Sequence, residues 1–189
     1  NIVVGNPNLT PSNDYSLYVG FNNFDFQKRT GFFANLNAST TADEIVTRTT
    51  IDENFVRTTT YANVDGNYRV NGGGSYRKSY TLDSLRTLKV NLGLYGGVNK
   101  RINFNNDVKY ASNNNNLGPR IGVTFLWKDV VEIRPNYNLS LNRTMFDIDN
   151  FEDQEFVTHN LRLRTTTFLP KKFEWRNDVN YNYNPNVGA

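Results

Sequence analysis

Between Val131 and Leu141 the chain reads V-E-I-R-P-N-Y-N-L-S-L, with every odd position apolar, aromatic or proline and every even one charged or strongly polar. A strict period of two is the mark of a strand with one oily and one wet face. The pattern returns in Phe173 to Tyr183, where Phe173, Trp175, Val179, Tyr181 and Tyr183 share a face opposite Glu174, Arg176, Asp178, Asn180 and Asn182. Strands of soluble sandwiches end after about five or six residues. These alternate for about ten or more, the length that crosses a bilayer when tilted. The expectation is an all-β chain, an antiparallel transmembrane β-barrel.

Composition fits that expectation without proving it. No apolar run approaches the roughly twenty residues of a membrane helix, and only 38% of the chain is hydrophobic. A barrel strand gives alternate residues to lipid, so its hydropathy averages to that of a soluble chain. Aromatic residues make up 14% of the chain, enough to supply interfacial girdles. Cysteine is absent, which removes disulfide frameworks and thiolate-bound metals and is compatible with export. The net charge of +3 is interleaved with acids rather than clustered, so no nucleic-acid partner is expected.

A pass along the chain gives eight strands in one domain spanning 1–189. Tyr15 to Phe21 is followed by a strand from Phe32 on to Thr50. After the turn Asp52-Glu53-Asn54 a third runs from Phe55 to Lys78. The fourth carries Leu88, Val90, Leu92 and Leu94, and Asn99 to Asn116 reads as a long polar loop. Ile121 to Trp127 leads through the turn Lys128-Asp129 to Val131–Leu141. The acidic loop Asp147 to Glu155 precedes Val157 to Phe168, and Pro170-Lys171-Lys172 turns into the last strand. Short turns near Thr81 to Ser84, Lys128 and Lys171 alternate with long ones, so the short turns are expected on the periplasmic side and the long loops outside. Outer-loop candidates are Asn113, Asn114, Asp147, Asp149, Glu152 and Asp153. With open strand edges intolerable in hydrocarbon, these strands are expected to be about eight consecutive members of a larger barrel, one of about 14 or more strands. The start at Asn1 without Met or leader suggests a piece of a longer protein.

Chemistry is sparse. His159, the single histidine, falls on the apolar-type face with Val157, Leu161 and Leu163, where no triad partners are visible; no catalytic residue and no enzyme activity is expected. The acidic loop lacks the glycine and spacing of a calcium loop, so neither metal nor cofactor is expected. Asn-x-Ser/Thr triplets at Asn8, Asn37, Asn138 and Asn142 follow from an Asn- and Thr-rich composition. The constellation with a physical rationale is Glu132, Arg134, Arg162, Arg164, Glu174, Arg176 and Asp178, all on the wet face of three consecutive strands. Facing lipid, each would cost about 2 to 4 kcal/mol, so they are expected to face a lumen, as a ladder of cross-strand ion pairs or in contact with a solute or plug.

The segment Gly5-Asn6-Pro7-Asn8-Leu9-Thr10-Pro11 ahead of a Tyr/Phe strand resembles the entry of TonB-dependent receptor barrels. Trp127-Lys128-Asp129 into Val131–Leu141, Asn150-Phe151 through His159-Asn160-Leu161, and Pro170 to Trp175 into Tyr181-Asn182-Tyr183-Asn184-Pro185 resemble the outer-membrane β-barrel family common in Bacteroidetes. The resemblance covers nearly the whole chain, as the C-terminal half of such a barrel. It implies uptake of a solute across the outer membrane of a Gram-negative bacterium, a plug and remaining strands in the same polypeptide, contact with outer-membrane lipid, and TonB and a surface lipoprotein as partners. Asp83-Ser84-Leu85 resembles the three-residue O-glycosylation signal of Bacteroidetes. A non-importing scaffold or secretion barrel, and a secreted β-sandwich adhesin, are the alternatives.

Overall fold

The computed structural model describes residues 2–149, 151–170 and 173–185. In chain order the strands are β1 (Ile2–Val3), β2 (Asn13–Asp25), β3 (Thr30–Ala42), β4 (Glu44–Ile51), β5 (Arg57–Val64), β6 (Asn67–Thr81), β7 (Arg86–Asn105), β8 (Val108–Trp127), β9 (Val131–Phe146), β10 (Gln154–Leu169) and β11 (Phe173–Tyr183). Eight of them form one antiparallel sheet in the order β11-β10-β9-β8-β7-β6-β3-β2, which is open between β2 and β11 among the described residues. A small second sheet, β1-β5-β4, continues the β3–β6 hairpin beyond one end.

The eight expected strands are these eight, each meeting its sequence neighbour. The expected continuous third strand is instead split into β5 and β6 at Asp65-Gly66, where Gly66 has φ 97°; opposite it, Asp43 at φ 54° separates β3 from β4. The larger correction concerns Asn99 to Asn116. This segment is not a loop: β7 and β8 run on as paired strands to the two-residue turn Asn106-Asp107. Both turn residues have positive φ, 47° and 70°, the geometry of a type I′ hairpin turn, which suits Asn and Asp. Asn113 and Asn114 therefore lie inside β8, paired with Lys100 and Asn99. The acidic connection is also shorter than Arg143 to Glu155, because β9 persists to Phe146 and β10 begins at Gln154.

Two prolines sit in interior strands. Pairing between β8 and β9 lapses at 118–119 opposite 139–140 and at 123–124 opposite 134–135, and each gap contains one of them, Pro119 or Pro135. Proline has no N–H to give the ladder. The outer seams of β8 and β9, to β7 and β10, keep those residues paired.

The sheet is a single layer. Its accessible surface is 13395 Å², against about 9,200 Å² for a compact monomer of this mass. Val64, Ile102 and Ala111 form the only buried apolar cluster among the described residues, with Val46 and Phe104 packed on it. That cluster lies where β4 and β5 fold against the end of β7. Buried Asn67 clamps the junction: its Nδ2 donates to Glu44 Oε2 at 2.6 Å, and its Oδ1 accepts the Ile102 N–H at 2.6 Å. Arg48 Nε donates to Asp107 Oδ1 at 2.6 Å, and the Ile51 N–H to Asn106 Oδ1 at 3.0 Å. Replacing Asn67 by Ala strands the Ile102 N–H and should cost about 1–3 kcal/mol, with the loss read as faster amide exchange across β4 and β5 while β9 and β10 stay protected.

Candidate functional site

Register determines which residues share a face. On one face lie Tyr15, Leu17, Val19 and Phe21 of β2, Phe32 and Leu36 of β3, Val70 and Tyr76 of β6, and Leu88 to Val98 of β7 at even positions. Leu117 to Trp127, Val131 to Leu141, Leu161 with Leu163, and Phe173 to Tyr183, at odd positions, complete it on β8 to β11. Many of these are substantially exposed, Leu94 at 51%, Ile121 at 44% and Tyr181 at 60%. The opposite face is mostly polar, with Phe24, Phe33, Leu126, Phe156 and Phe168 among its exceptions.

The oily runs do not sit level across the strands. From Val19, midway along the run of β2, the register leads through Leu36, Gly72, Gly96, Leu117 and Leu141 to Val157. By then the path has reached the far end of the oily run, and the last pair of β10 with β11 is His159 with Tyr183. The band thus drifts by about one residue per strand, ~3.3 Å for each ~4.8 Å step across the sheet. The strands therefore lean about 35° from the normal to a level band. Each full run is about eleven residues, ~36 Å of strand, so the band stands about 30 Å high at that angle.

The seven charged residues expected on the wet face of β9, β10 and β11 are there together. Arg134 contacts Glu132 at 2.6 Å, Asp178 accepts Arg162 Nε at 2.8 Å and Arg164 Nε at 3.2 Å, and Arg176 pairs with Glu174. The ladder expected from sequence is only partly cross-strand: Asp178 bridges β11 to β10, whereas the Glu132 and Glu174 pairs run along their own strands. Six of these residues border a polar cleft of about 500 Å³. As exposed pairs they are screened by solvent and add little to stability. Toward the other end of the same wall, Asn160 Nδ2 donates to Asn180 at 2.8 Å and to Asn182 at 2.5 Å, and Asn138 donates to Asn160 at 3.2 Å.

His159 lies on the oily face, its Nδ1 2.8 Å from Tyr137 Oη, with Tyr183 on its other side at 5.9 Å between ring centroids. Asp147, Asp149, Glu152 and Asp153 are in the β9–β10 connection as expected, and two of them hold it in shape. Asp147 Oδ1 accepts the Ala111 N–H at 2.5 Å, and Asp153 takes the Phe146 N–H and Arg143 Nη2, both at 3.3 Å. Phe151 stacks on Tyr110 at 5.4 Å. No group of three or more metal-ligating side chains occurs among the described residues. Lys128 is in the β8–β9 turn, at the same end as the turns after β2 and β6; Lys171 lies outside the described residues.

In the β6–β7 turn, Asp83 accepts Arg86 Nε at 2.6 Å and the N–H groups of Leu85 and Arg86 at 2.9 and 2.8 Å. Arg86 first, then these backbone donors, hold its carboxyl below the usual carboxylate range. A depressed folded pKa stabilises the turn above the unfolded value of ~3.9 and loses that contribution as pH falls through the folded one. Acidification below about pH 4 should therefore lower the exchange protection factors, measured against the intrinsic rate at each pH, of the Leu85 and Arg86 amides, and Asp83→Asn should abolish that dependence.

Sequence reading missed a second set of wet-face charges. No Asp or Glu occurs in β3, β6, β7 or β8, yet Arg69, Arg77, Lys89 and Arg120 project from their polar face. Their alternation was visible strand by strand, but their proximity depends on register. No family model, curated protein or solved structure matches the chain.

Proposed function

We propose that the chain is part of the outer-membrane β-barrel of a TonB-dependent receptor-like transporter that takes up a solute across the outer membrane of a Gram-negative bacterium. The observation that carries this reading is the level oily band. The lean of its strands, about 35° from its normal, and its height of about 30 Å are close to the tilt and apolar belt of membrane barrels, about 35–45° and 25 Å. Lipid covers that face, Trp127, Trp175 and Tyr76 lie toward one border of it, and the charged wall of β9 to β11 faces the lumen. The short turns at Lys128 and after β2 and β6 face the periplasm, while the long β7–β8 hairpin, the β4–β5 hairpin and the acidic connection face outward.

A larger barrel than eight strands suits this wall. Its face over β6 to β11 carries nine cations against Glu132, Glu174 and Asp178, an imbalance that a narrow eight-stranded interior filled by side chains accommodates poorly. The edges β2 and β11 then pair with further strands, in a barrel of about 14 or more. Plug movement, energy coupling through TonB and a surface lipoprotein enter through the resemblance alone. A two-sheet adhesin would need a second layer over the whole oily band.

Uptake is tested by comparing what cells with and without the gene remove from a defined medium, with and without an uncoupler. Import predicts solutes depleted only by energised cells carrying the gene. Equal depletion in all four cultures would leave the scaffold reading in its place.

A further inference from the structure

The three cations Arg77, Lys89 and Arg120 surround one point on the polar wall. Arg77 on β6 is paired directly with Asn91 on β7, and Asn91 directly with Gly122 on β8. Lys89 is two residues before Asn91 on the same face, and Arg120 two residues before Gly122, opposite Gly93. Cross-strand and next-but-one neighbours on a sheet face are about 5–7 Å apart, so the three side chains spring from positions next to Asn91. Glycine at 93 leaves room for the Arg120 guanidinium and the Tyr95 ring to lie over it, and glycine at 122 leaves room for the Asn136 amide oxygen, which reaches over it beside Asn91.

None of the three has an ion pair among the described residues, and the wet-face acids of β9 and β11, Glu132, Glu174 and Asp178, are already engaged by Arg134, Arg162, Arg164 and Arg176. Arg120 is held in place: its guanidinium lies 5.0 Å from the centroid of the Tyr95 ring, and its Nη2 donates to Tyr95 Oη at 2.8 Å. At the centre, Asn91 Oδ1 is buried and accepts no hydrogen bond. An orphaned acceptor among cations is costly until a donor reaches it. A ligand that answers both features supplies negative oxygens to the cations and a hydroxyl to Asn91.

We propose that the wall over β6, β7 and β8 binds an anion that also carries a hydroxyl, of the class of hydrogen phosphate or a hydroxy acid, on Arg77, Lys89, Arg120 and Asn91. This deepens the lumen reading by naming the solute's chemistry, and it rests on that reading for its place in transport. The test uses the whole barrel protein of which this chain is proposed to be part, in non-ionic detergent, with inorganic phosphate as the probe and equilibrium dialysis near pH 7. Saturable binding is expected, weakened about tenfold or more in Arg77→Gln/Lys89→Gln/Arg120→Gln and unchanged in Lys128→Gln. Sulfate, which has no proton to donate at that pH, should bind more weakly than phosphate. Absence of saturable binding, binding that survives the triple variant, or sulfate bound as tightly as phosphate would each overturn the proposal. Insertion of the same protein into liposomes is scored separately: inserted protein without phosphate binding defeats the anion site alone, and failure to insert defeats the membrane reading.

Discussion

Ile121→Arg should lower the stability of the bilayer-folded protein by about 2 to 4 kcal/mol, whereas Asn116→Arg on the same strand should change it by less than about 1 kcal/mol. Ile121 stands near mid-height of the oily band, 44% exposed and flanked in register by Leu92 and Tyr137. If lipid covers the band, a guanidinium there meets hydrocarbon, and its row holds no carboxylate. Asn116 points to the opposite face, where its neighbours Gly97 and Asn142 leave a long cation in polar surroundings. Urea titrations of folding into phospholipid vesicles measure both. Equal costs for the two substitutions would mean that the faces do not differ in what covers them.

Gly72→Ala should cost about 1–3 kcal/mol. A Cβ at Gly72 would come within 2.6 Å of the Asn35 carbonyl oxygen and 3.2 Å of Leu36 Cδ1. The first is backbone of a paired strand and cannot swing aside, so β3 and β6 must separate locally. Gly72 also floors an open apolar groove of about 830 Å³ bordered by Phe32, Leu36, Leu92 and Leu117. Gly5→Ala, with nothing within 4 Å of its added carbon, provides the comparison and should stay within about 0.5 kcal/mol. Chemical denaturation of the two variants beside the parent checks the difference.

How far the sequence reveals this fold depends on where each residue stands relative to the oily band. Within the band one face is apolar and the other polar, so the period of two in β9 and β11 is plain and the faces of Glu132, Arg162 and Asp178 follow from it. At 113–116 both faces of β8 carry asparagine. That run has no periodic signal and reads as a loop, although backbone pairing with β7 continues past it. The available clue was local, Asn106-Asp107 as a two-residue turn tolerant of positive φ. Asp65-Gly66 was a similar unread sign of the break between β5 and β6. The ring of Arg77, Lys89 and Arg120 is illegible for another reason: alternation assigns each a face, but only the register of three strands brings them around Asn91.

Both tryptophans of the chain, Trp127 and Trp175, lie on the oily face toward its border with the short turns, at 40% and 57% exposure. Their fluorescence in vesicles containing brominated lipids therefore tests the central claim most directly. If the band is the lipid-facing surface, bromines on the acyl chains quench both tryptophans, most strongly when placed close to the headgroup, and aqueous iodide has little effect. Full quenching by iodide with none by any brominated lipid would contradict the account, because the oily face would then be turned to water or to protein.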